Sequence, residues 1–476
     1  MGEGLDIQTV VSVLVNELSA SSTSMADQIT FNAGANVPGA EYFAQGQSVR
    51  CACPLLDPDD IFVTGYVNVM YDFQFHTLEA YTNGCAPTAW QWKVSTSRNG
   101  TYTNISGAVS PTYTVPVNFI TSNPAFSSAV NNELFFKCEM TNYAGTTLQS
   151  DANALGIEFI RTNTSGYGTY NGVRYLTIAR ARHLGTGSNQ ITFALLNLGA
   201  SGTGACTNGV NNISDNGLLN DAGDLGDYYQ WGRVADGHQH TVWSKNPSTR
   251  VNTFQPATGS YSATSLPVAH GGSAQVYTST LQIAATNTPY YGSFITGSTD
   301  WGTGTAGAED RWGNTVNNTR VGIPLNLSQW TAKARANNPC PTGWYIPSRY
   351  DGWDTYRGDG FNDPSSFTGA AAYGSYNNTW RLRNVQANTN AWGGVIIANA
   401  AGEKLFLPTM GYRMDSNAAP SGTTYFYGWT STFYSPVSGG MVYSAAYDFA
   451  TGTNVNMGGG NLGYPRGVPV RCVRNN

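Results

Sequence analysis

The stretch Tyr427-Gly-Trp-Thr-Ser-Thr-Phe-Tyr-Ser-Pro-Val-Ser-Gly-Gly-Met-Val-Tyr-Ser-Ala-Ala-Tyr447 decides how the chain is read, together with Asn454-Val-Asn-Met-Gly-Gly-Gly-Asn-Leu-Gly-Tyr464 and the stiff ending Gly467-Val-Pro-Val-Arg-Cys-Val-Arg474. Catalytic segments seldom have this composition, and binding surfaces often do. Tyr427, Trp429, Phe433, Tyr434, Tyr443, Tyr447 and Tyr464 supply contact area at low entropy cost, while Ser435, Ser438, Ala445, Gly458, Gly459 and Asn461 supply small, adaptable surface. These residues are the expected ligand contacts, with Tyr434, Tyr443, Tyr447 and Tyr464 as anchors. No residue of the stretch is assigned a catalytic or metal-binding role.

The rest of the chain bounds that reading. At 476 residues and 50.9 kDa it is too long for one ordinary core, so two or three domains are expected. Charged residues make up 11%, aromatics 12%, and Gly occurs 55 times, which favours strands and turns over amphipathic helices. The 24 basic and 29 acidic residues leave a formal charge of -5, and no basic block marks a nucleic-acid footprint. No apolar run reaches the roughly eighteen residues of a membrane span. The start, Met1-Gly-Glu-Gly-Leu-Asp-Ile7, is acidic, and Val10–Val15 has no clear cleavage site, so no signal peptide is expected. Export inside an assembled particle and prior removal of a leader both fit. Seven cysteines are an odd count, leaving at least one thiol unpaired within the chain if the others are bridged. Cys51 and Cys53 are too close to pair readily and lack nearby ligands for a metal site, so they read as small buried residues.

Residues 1–59 read as an N-terminal attachment or oligomerisation segment. Ile7, Val10, Val11, Leu14, Val15 and Leu18 recur at helical spacing within Leu5–Ser19, which suits an attachment helix and a leader helix packed on its own domain equally well. Over 60–160 the pattern becomes short alternating runs: Phe73–Leu78, Ala89–Val94, Thr101–Ile105, Thr112–Pro116, Glu133–Met140 and Leu155–Phe159. Their order resembles an immunoglobulin-like sandwich, which implies Trp90 or Trp92 as the core tryptophan and Cys138 in the sixth strand. Cys85 lies too near Trp90 for the antibody-type bridge, so pairing of Cys85 with Cys138 is doubtful. Arg161–Gly168 reads as a linker.

Beyond it, over 165–476, come the segments Asp221–His238, Phe294–Trp301, Asn338–Pro347, Leu405–Arg413 and Val470–Arg474, in that order. Together they resemble the C-type-lectin-like domain shared by formylglycine-generating-enzyme relatives, Fibrobacter-type paralogous surface domains and the variable proteins of diversity-generating retroelements. The fold class implied is α+β with a β-rich N-terminal part, the immunoglobulin-like sandwich being followed by the lectin-like domain. In such a domain the two ends of the chain segment meet, and Cys340 and Cys472 stand in position either to bridge or to remain packed thiols. Glu309–Trp312 and Trp344–Pro347 would be scaffold. The resemblance also implies a variable region at about 427–466, in which adenine-directed substitution alters contact residues.

Other chemistries fit these residues less well. Formylglycine generation needs a close pair of reactive cysteines, and Cys472 has no near neighbour in sequence. His238 and His240 with Asp236 suggest a metal site, but polar loop residues at the surface fit better. Asp221, Asp224 and Asp227 suit a structural calcium ion or a tight turn, and the sugar-binding tripeptides of calcium-dependent lectins are absent. No cofactor is expected. The function implied is host recognition by a bacteriophage tail fibre in the virion, as a homotrimer whose N-terminus meets other tail proteins and whose tip binds a bacterial surface protein or glycan. A bacterial cell-surface adhesin or lipoprotein of the same fold is the alternative.

Overall fold

The computed structural model describes residues 25–32, 35–42, 61–64, 69–82, 87–126, 133–142, 145–149, 154–179, 190–200, 226–239, 241–245, 252–256, 260–262, 293–296, 312, 332–348, 379–383, 394–398, 402–408, 411–421, 426–435, 441–447, 459–463 and 466–475. In a number of the strands, including 25–32, 35–42, 441–447 and 459–463, the backbone alone is described. Strands dominate and fall into several sheets, so the protein is β-rich.

β1 (Met25–Asn32) and β2 (Ala35–Tyr42) form an antiparallel hairpin. The helix expected over Leu5–Ser19 lies outside the described residues, as do Cys51, Cys53 and Cys85.

Two sheets follow. Their strands are β3 (Ile61–Thr64), β4 (Val69–Tyr71), β5 (His76–Thr82), β6 (Ala89–Ser95), β7 (Thr103–Asn104), β8 (Thr112–Val115), β9 (Glu133–Thr141), β10 (Thr147–Gln149) and β11 (Leu155–Ile160). One sheet runs β4-β11-β9-β6-β7 with β10 beside β9, and the other runs β3-β5-β8. Alternation explains the pairing: in β5, Leu78 and Ala80 are buried while Thr77 and Glu79 are only partly so, because successive side chains of a strand point to opposite faces. Leu78, Ala80 and Val115 of one sheet meet Trp92, Phe136, Met140 and Phe159 of the other in a single core. The short helix α1 (Phe119–Ser122) adds Phe119 to that core, stacked near Phe159. Trp92 is fully buried, and its indole N–H donates to Ser110 O at 2.9 Å. Trp90, the other candidate, is only partly buried at the margin. Cys138 lies in β9 as a buried thiol.

The remaining strands make smaller sheets. β12 (Tyr167–Tyr170), β13 (Val173–Ala179) and β14 (Gln190–Ala194) form a meander, and its fourth strand is the end of the chain, Val473–Asn475. Next come β15 (Tyr229–Gln230), the hairpin of β16 (Thr241–Lys245) with β17 (Asn252–Pro256), and β18 (Ser260–Ser262) parallel to β19 (Phe294–Thr296). A helix, α2 (Ala332–Asn337), leads to the Pro339-Cys-Pro341 turn. β20 (Thr379–Arg383), β21 (Gly394–Ala398) and β22 (Lys404–Pro408) are antiparallel. β23 (Tyr412–Arg413) and β24 (Pro420–Ser421) precede the longest ribbon, β25 (Phe426–Ser435), β26 (Met441–Tyr447) and β27 (Gly459–Gly463). β28 (Gly467–Val468) joins β15 to β23, and β29 (Val473–Asn475) closes the meander.

Arg161–Gly168, expected as a linker, is fastened at both ends. Thr162 donates to Asp72 through its backbone N–H and its hydroxyl, at 2.9 and 2.6 Å, and Gly166 N–H donates to Glu403 Oε1 at 2.6 Å. Across the same seam Tyr71 Oη accepts from Phe406 N at 2.9 Å, and Lys404 Nζ meets Glu158 Oε1 at 2.9 Å. The Tyr167 hydroxyl accepts from Lys404 N and donates to Lys404 O. Buried polar groups need such partners, and here each unit supplies them to the other.

Candidate functional site

The antiparallel register of β25–β27 sorts the expected contact residues by face. Directly opposed residues share a face, and neighbours along a strand alternate. Trp429 opposes Ser444, which opposes Gly460, so Val442 and its partner Leu462 belong to the same side. Tyr443 opposes Asn461 and Ala445 opposes Gly459, and both pairs, with Tyr447, occupy the other side. Tyr443, Ala445, Tyr447, Gly459 and Asn461 therefore share one face by register. Ser435, opposite Met441, falls with them, whereas Phe433, opposite Val442, does not; register shifts flank Phe433, and Tyr434 lies within the second. Ser438, Gly458 and Tyr464 lie outside the described residues.

Trp429 corrects the sequence-based expectation. It is 1% exposed, and its indole N–H donates to Tyr229 O at 2.5 Å, so it is an interior side chain and not a surface contact. The two residues after it are fixed as well. Trp429 N–H donates to Pro469 O at 3.0 Å and Ser431 N–H to Pro347 O at 2.8 Å, while Thr430 O accepts from the Trp231 indole at 2.9 Å. Backbone donors on the β25 edge thus bond to the scaffold instead of standing open, which removes an exposed strand edge. Tyr427 is half-buried, edge-on to Tyr412 with ring centroids 5.1 Å apart.

The scaffold behind this anchor is held by the chain's ending. Cys472 bridges Cys340, and the adjacent Tyr345 and Val473 exchange two backbone hydrogen bonds. The guanidinium of Arg471, 3% exposed, donates to Ala194 O, Leu195 O and Phe406 O, so one side chain ties β14 and β22 to the C-terminal segment. Trp312, Trp344, Tyr345 and Ile346 are buried, as expected of scaffold residues.

His238 is the second correction. Expected in a surface loop, it is fully buried. Its Nδ1 lies 2.6 Å from Asp236 Oδ1, and its Nε2 accepts the Gln230 backbone N–H at 3.1 Å. That pairing fixes the neutral Nδ1–H tautomer and occupies both ring nitrogens, so His238 has no lone pair free for a metal or a substrate proton. Burial, with Arg233 beside it, pushes the imidazole down to about 4 against the pull of Asp236. Burial alone would raise the Asp236 carboxyl, but Arg233 and the His238 hydrogen bond hold it below the usual carboxylate range. Arg413, lowered to about 9 by burial, donates to His238 O at 3.1 Å and lies 4.0 Å from the Phe294 ring centroid. The signal in the sequence was the spacing of Gln230, Arg233 and Asp236 before His238, a polar set that satisfies itself when buried.

Asp227 is buried, while Asp221, Asp224 and His240 lie outside the described residues. Among the described residues no group of three His, Cys, Asp or Glu side chains is placed to hold a metal ion.

No family model matches the chain, and no curated protein does. Partial likeness is found to solved structures, among them the following two. One is an engineered protein, with a TM-score of 0.13 and 15% identity over 22% of this chain and 21% of that one. The other is a bacterial ice-binding adhesin described for host cell surface retention, with a TM-score of 0.15 and 15% identity over 25% of this chain and 41% of that one. The chain spans less than half the length of either, and likenesses this slight carry no argument about fold or function.

Proposed function

We propose that the protein is the host-recognition component of a bacteriophage tail fibre, binding a bacterial surface ligand noncovalently through β26 and β27. In this reading the two-sheet unit at 60–160 is an immunoglobulin-like spacer, and 165–476 is a C-type-lectin-like tip with a variable stretch at about 427–466. The observation that carries it is the register: Tyr443, Ala445, Tyr447, Gly459 and Asn461 share one face of a ribbon whose β25 edge is pinned to a disulfide-bonded scaffold. Rigid aromatic anchors beside small adaptable residues, carried on a fixed framework, are what recognition without chemistry requires. Assembly as a trimer would multiply weak single contacts by avidity.

The described cysteines support a role without thiol chemistry. Cys472 is bridged to Cys340, and burial pushes the Cys138 thiol up to about 12, far from the thiolate that sulfur chemistry needs. The experiment is binding of the labelled full chain to a panel of bacterial strains. Saturable binding to particular strains, lost on Tyr443→Ala/Tyr447→Ala, is expected; uniform or absent binding would count against the reading. The gene's neighbourhood tests the diversification: a reverse transcriptase and a near-copy of the last part of the coding sequence differing at adenines are expected.

A further inference from the structure

The peptide unit between Tyr229 and Gln230 carries two hydrogen bonds that join otherwise separate parts of the molecule. Its carbonyl accepts the Trp429 indole N–H at 2.5 Å, and its N–H donates to His238 Nε2 at 3.1 Å. Hydrogen bonds arranged in series through one peptide group polarise each other, so the bond to His238 strengthens the carbonyl that holds Trp429. From this geometry we propose that His238 is an acid-operated catch for the β25–β27 ribbon, released when the imidazole takes up a proton.

The chemistry follows from donor and acceptor inventory. An imidazolium donates from both nitrogens, so protonated Nε2 would set an N–H against the Gln230 N–H in a fully buried site. Charge acts in the same direction. Among the described residues, the ionic groups facing the ring are Arg233 and Asp236 from its own loop and Arg413 from β23. Asp227 and the Tyr228 phenol face Arg413 in turn. With His238 neutral, two guanidinium groups stand against two carboxylates; protonation sets a third positive charge against the same two carboxylates, of which Asp236 is already paired with Arg233. The Tyr229 ring stands perpendicular to the imidazole, at 6.1 Å between centroids, and carries no charge. The cluster escapes by opening, which lets the ring reach water and takes the Tyr229–Gln230 peptide away from Trp429. The Trp231 bond to Thr430 O, one residue along from the same peptide, is strained with it.

The consequence for ligand binding rests on β26 and β27 being the recognition surface. The test is hydrogen exchange of the full chain, corrected for intrinsic rates, from pH 7 to pH 4.5. Peptides covering 226–239 and 426–435 are expected to open about tenfold more per pH unit below the free imidazole's pKa, while peptides of the 133–160 sheet stay unchanged. His238→Gln, neutral throughout and able to accept from Gln230 N–H, is expected to flatten that dependence. Equal acceleration in both regions, or no acceleration in either, would overturn the catch, and so would a folded His238→Gln protein with the wild-type profile. Should that variant not fold, the comparison of the two regions in the wild type decides alone. Cell binding measured alongside separates the two ideas: selective opening without cell binding at pH 7 upholds the catch and sinks the recognition reading, whereas binding that persists at pH 4.5 with the peptides protected sinks the catch alone.

Discussion

Removing the Cys340–Cys472 bridge should weaken the C-terminal sheets without rearranging them. The bridge closes a loop with a sequence separation of 132. Chain-entropy arithmetic for a loop of that size gives about 5 kcal/mol of stabilisation through restriction of the unfolded state. The native contacts around it do not depend on the sulfurs. Tyr345 and Val473 exchange backbone hydrogen bonds of 2.9 and 2.8 Å, and Trp344 packs between Tyr170 and Tyr175, with ring centroids 6.5 and 6.3 Å away. Cys340→Ala/Cys472→Ala should therefore keep the fold and lose about 3–5 kcal/mol in guanidinium unfolding, with a larger dependence on denaturant because the unfolded chain expands. Tryptophan fluorescence reports the unfolding, since Trp231, Trp312, Trp344 and Trp429 are all fully buried. A loss below about 1 kcal/mol with the slope unchanged would refute the reasoning, because the loop would then not be restraining the unfolded chain.

Other outcomes follow from single contacts. Trp92→Ala empties the centre of the two-sheet core and should cost about 3–5 kcal/mol, read as a fall in that unit's thermal midpoint. Lys404→Met leaves Glu158, 1% exposed by side chain, without its ammonium partner at the seam; a loss of about 3 kcal/mol is expected, eased when Glu158→Gln is added. Trp429→Phe removes the N–H donated to buried Tyr229 O together with part of a buried indole, and should cost about 2–4 kcal/mol by chemical denaturation. Acid should destabilise the region around β15 and β23 through His238. Burial holds it at about 4 in the folded protein, below the 6.5 of a free imidazole, so between these the unfolded state binds more protons and stability rises with pH. The contribution is about 3 kcal/mol, fully present above pH 6.5, lost as pH falls towards 4 and absent from the pH dependence of His238→Gln.

The two-sheet unit was legible because strand alternation is local: Glu133–Thr141 buries Leu134, Phe136, Cys138 and Met140 at every second position, and periodicity alone exposes that pattern. Over 165–476 no such local signal was available, since the strands there are short and their pairings distant. Trp429 shows why composition misleads there. An aromatic in a Gly- and Ser-rich stretch looks like a contact residue, yet its partner carbonyl lies 200 positions away, and burial is settled by that partner. His238 was misread for a related reason, because a histidine among polar residues looks solvated until Gln230, Asp236 and Arg413 are seen to close around it. The register of β25–β27 was hidden too, since Gly-rich strands with weak alternation leave pairing to be fixed by tertiary anchors.

The central claim is that one face of β26 and β27 recognises a bacterial surface. The most direct measurement compares strain binding of Tyr443→Ala/Tyr447→Ala with that of Val442→Ala/Leu462→Ala, each at matched folded fraction. The first pair should lose binding at least tenfold with little change in thermal midpoint, and the second should lower the midpoint while folded molecules bind as the wild type does. The reverse pattern, or equal loss from both faces, would contradict the account.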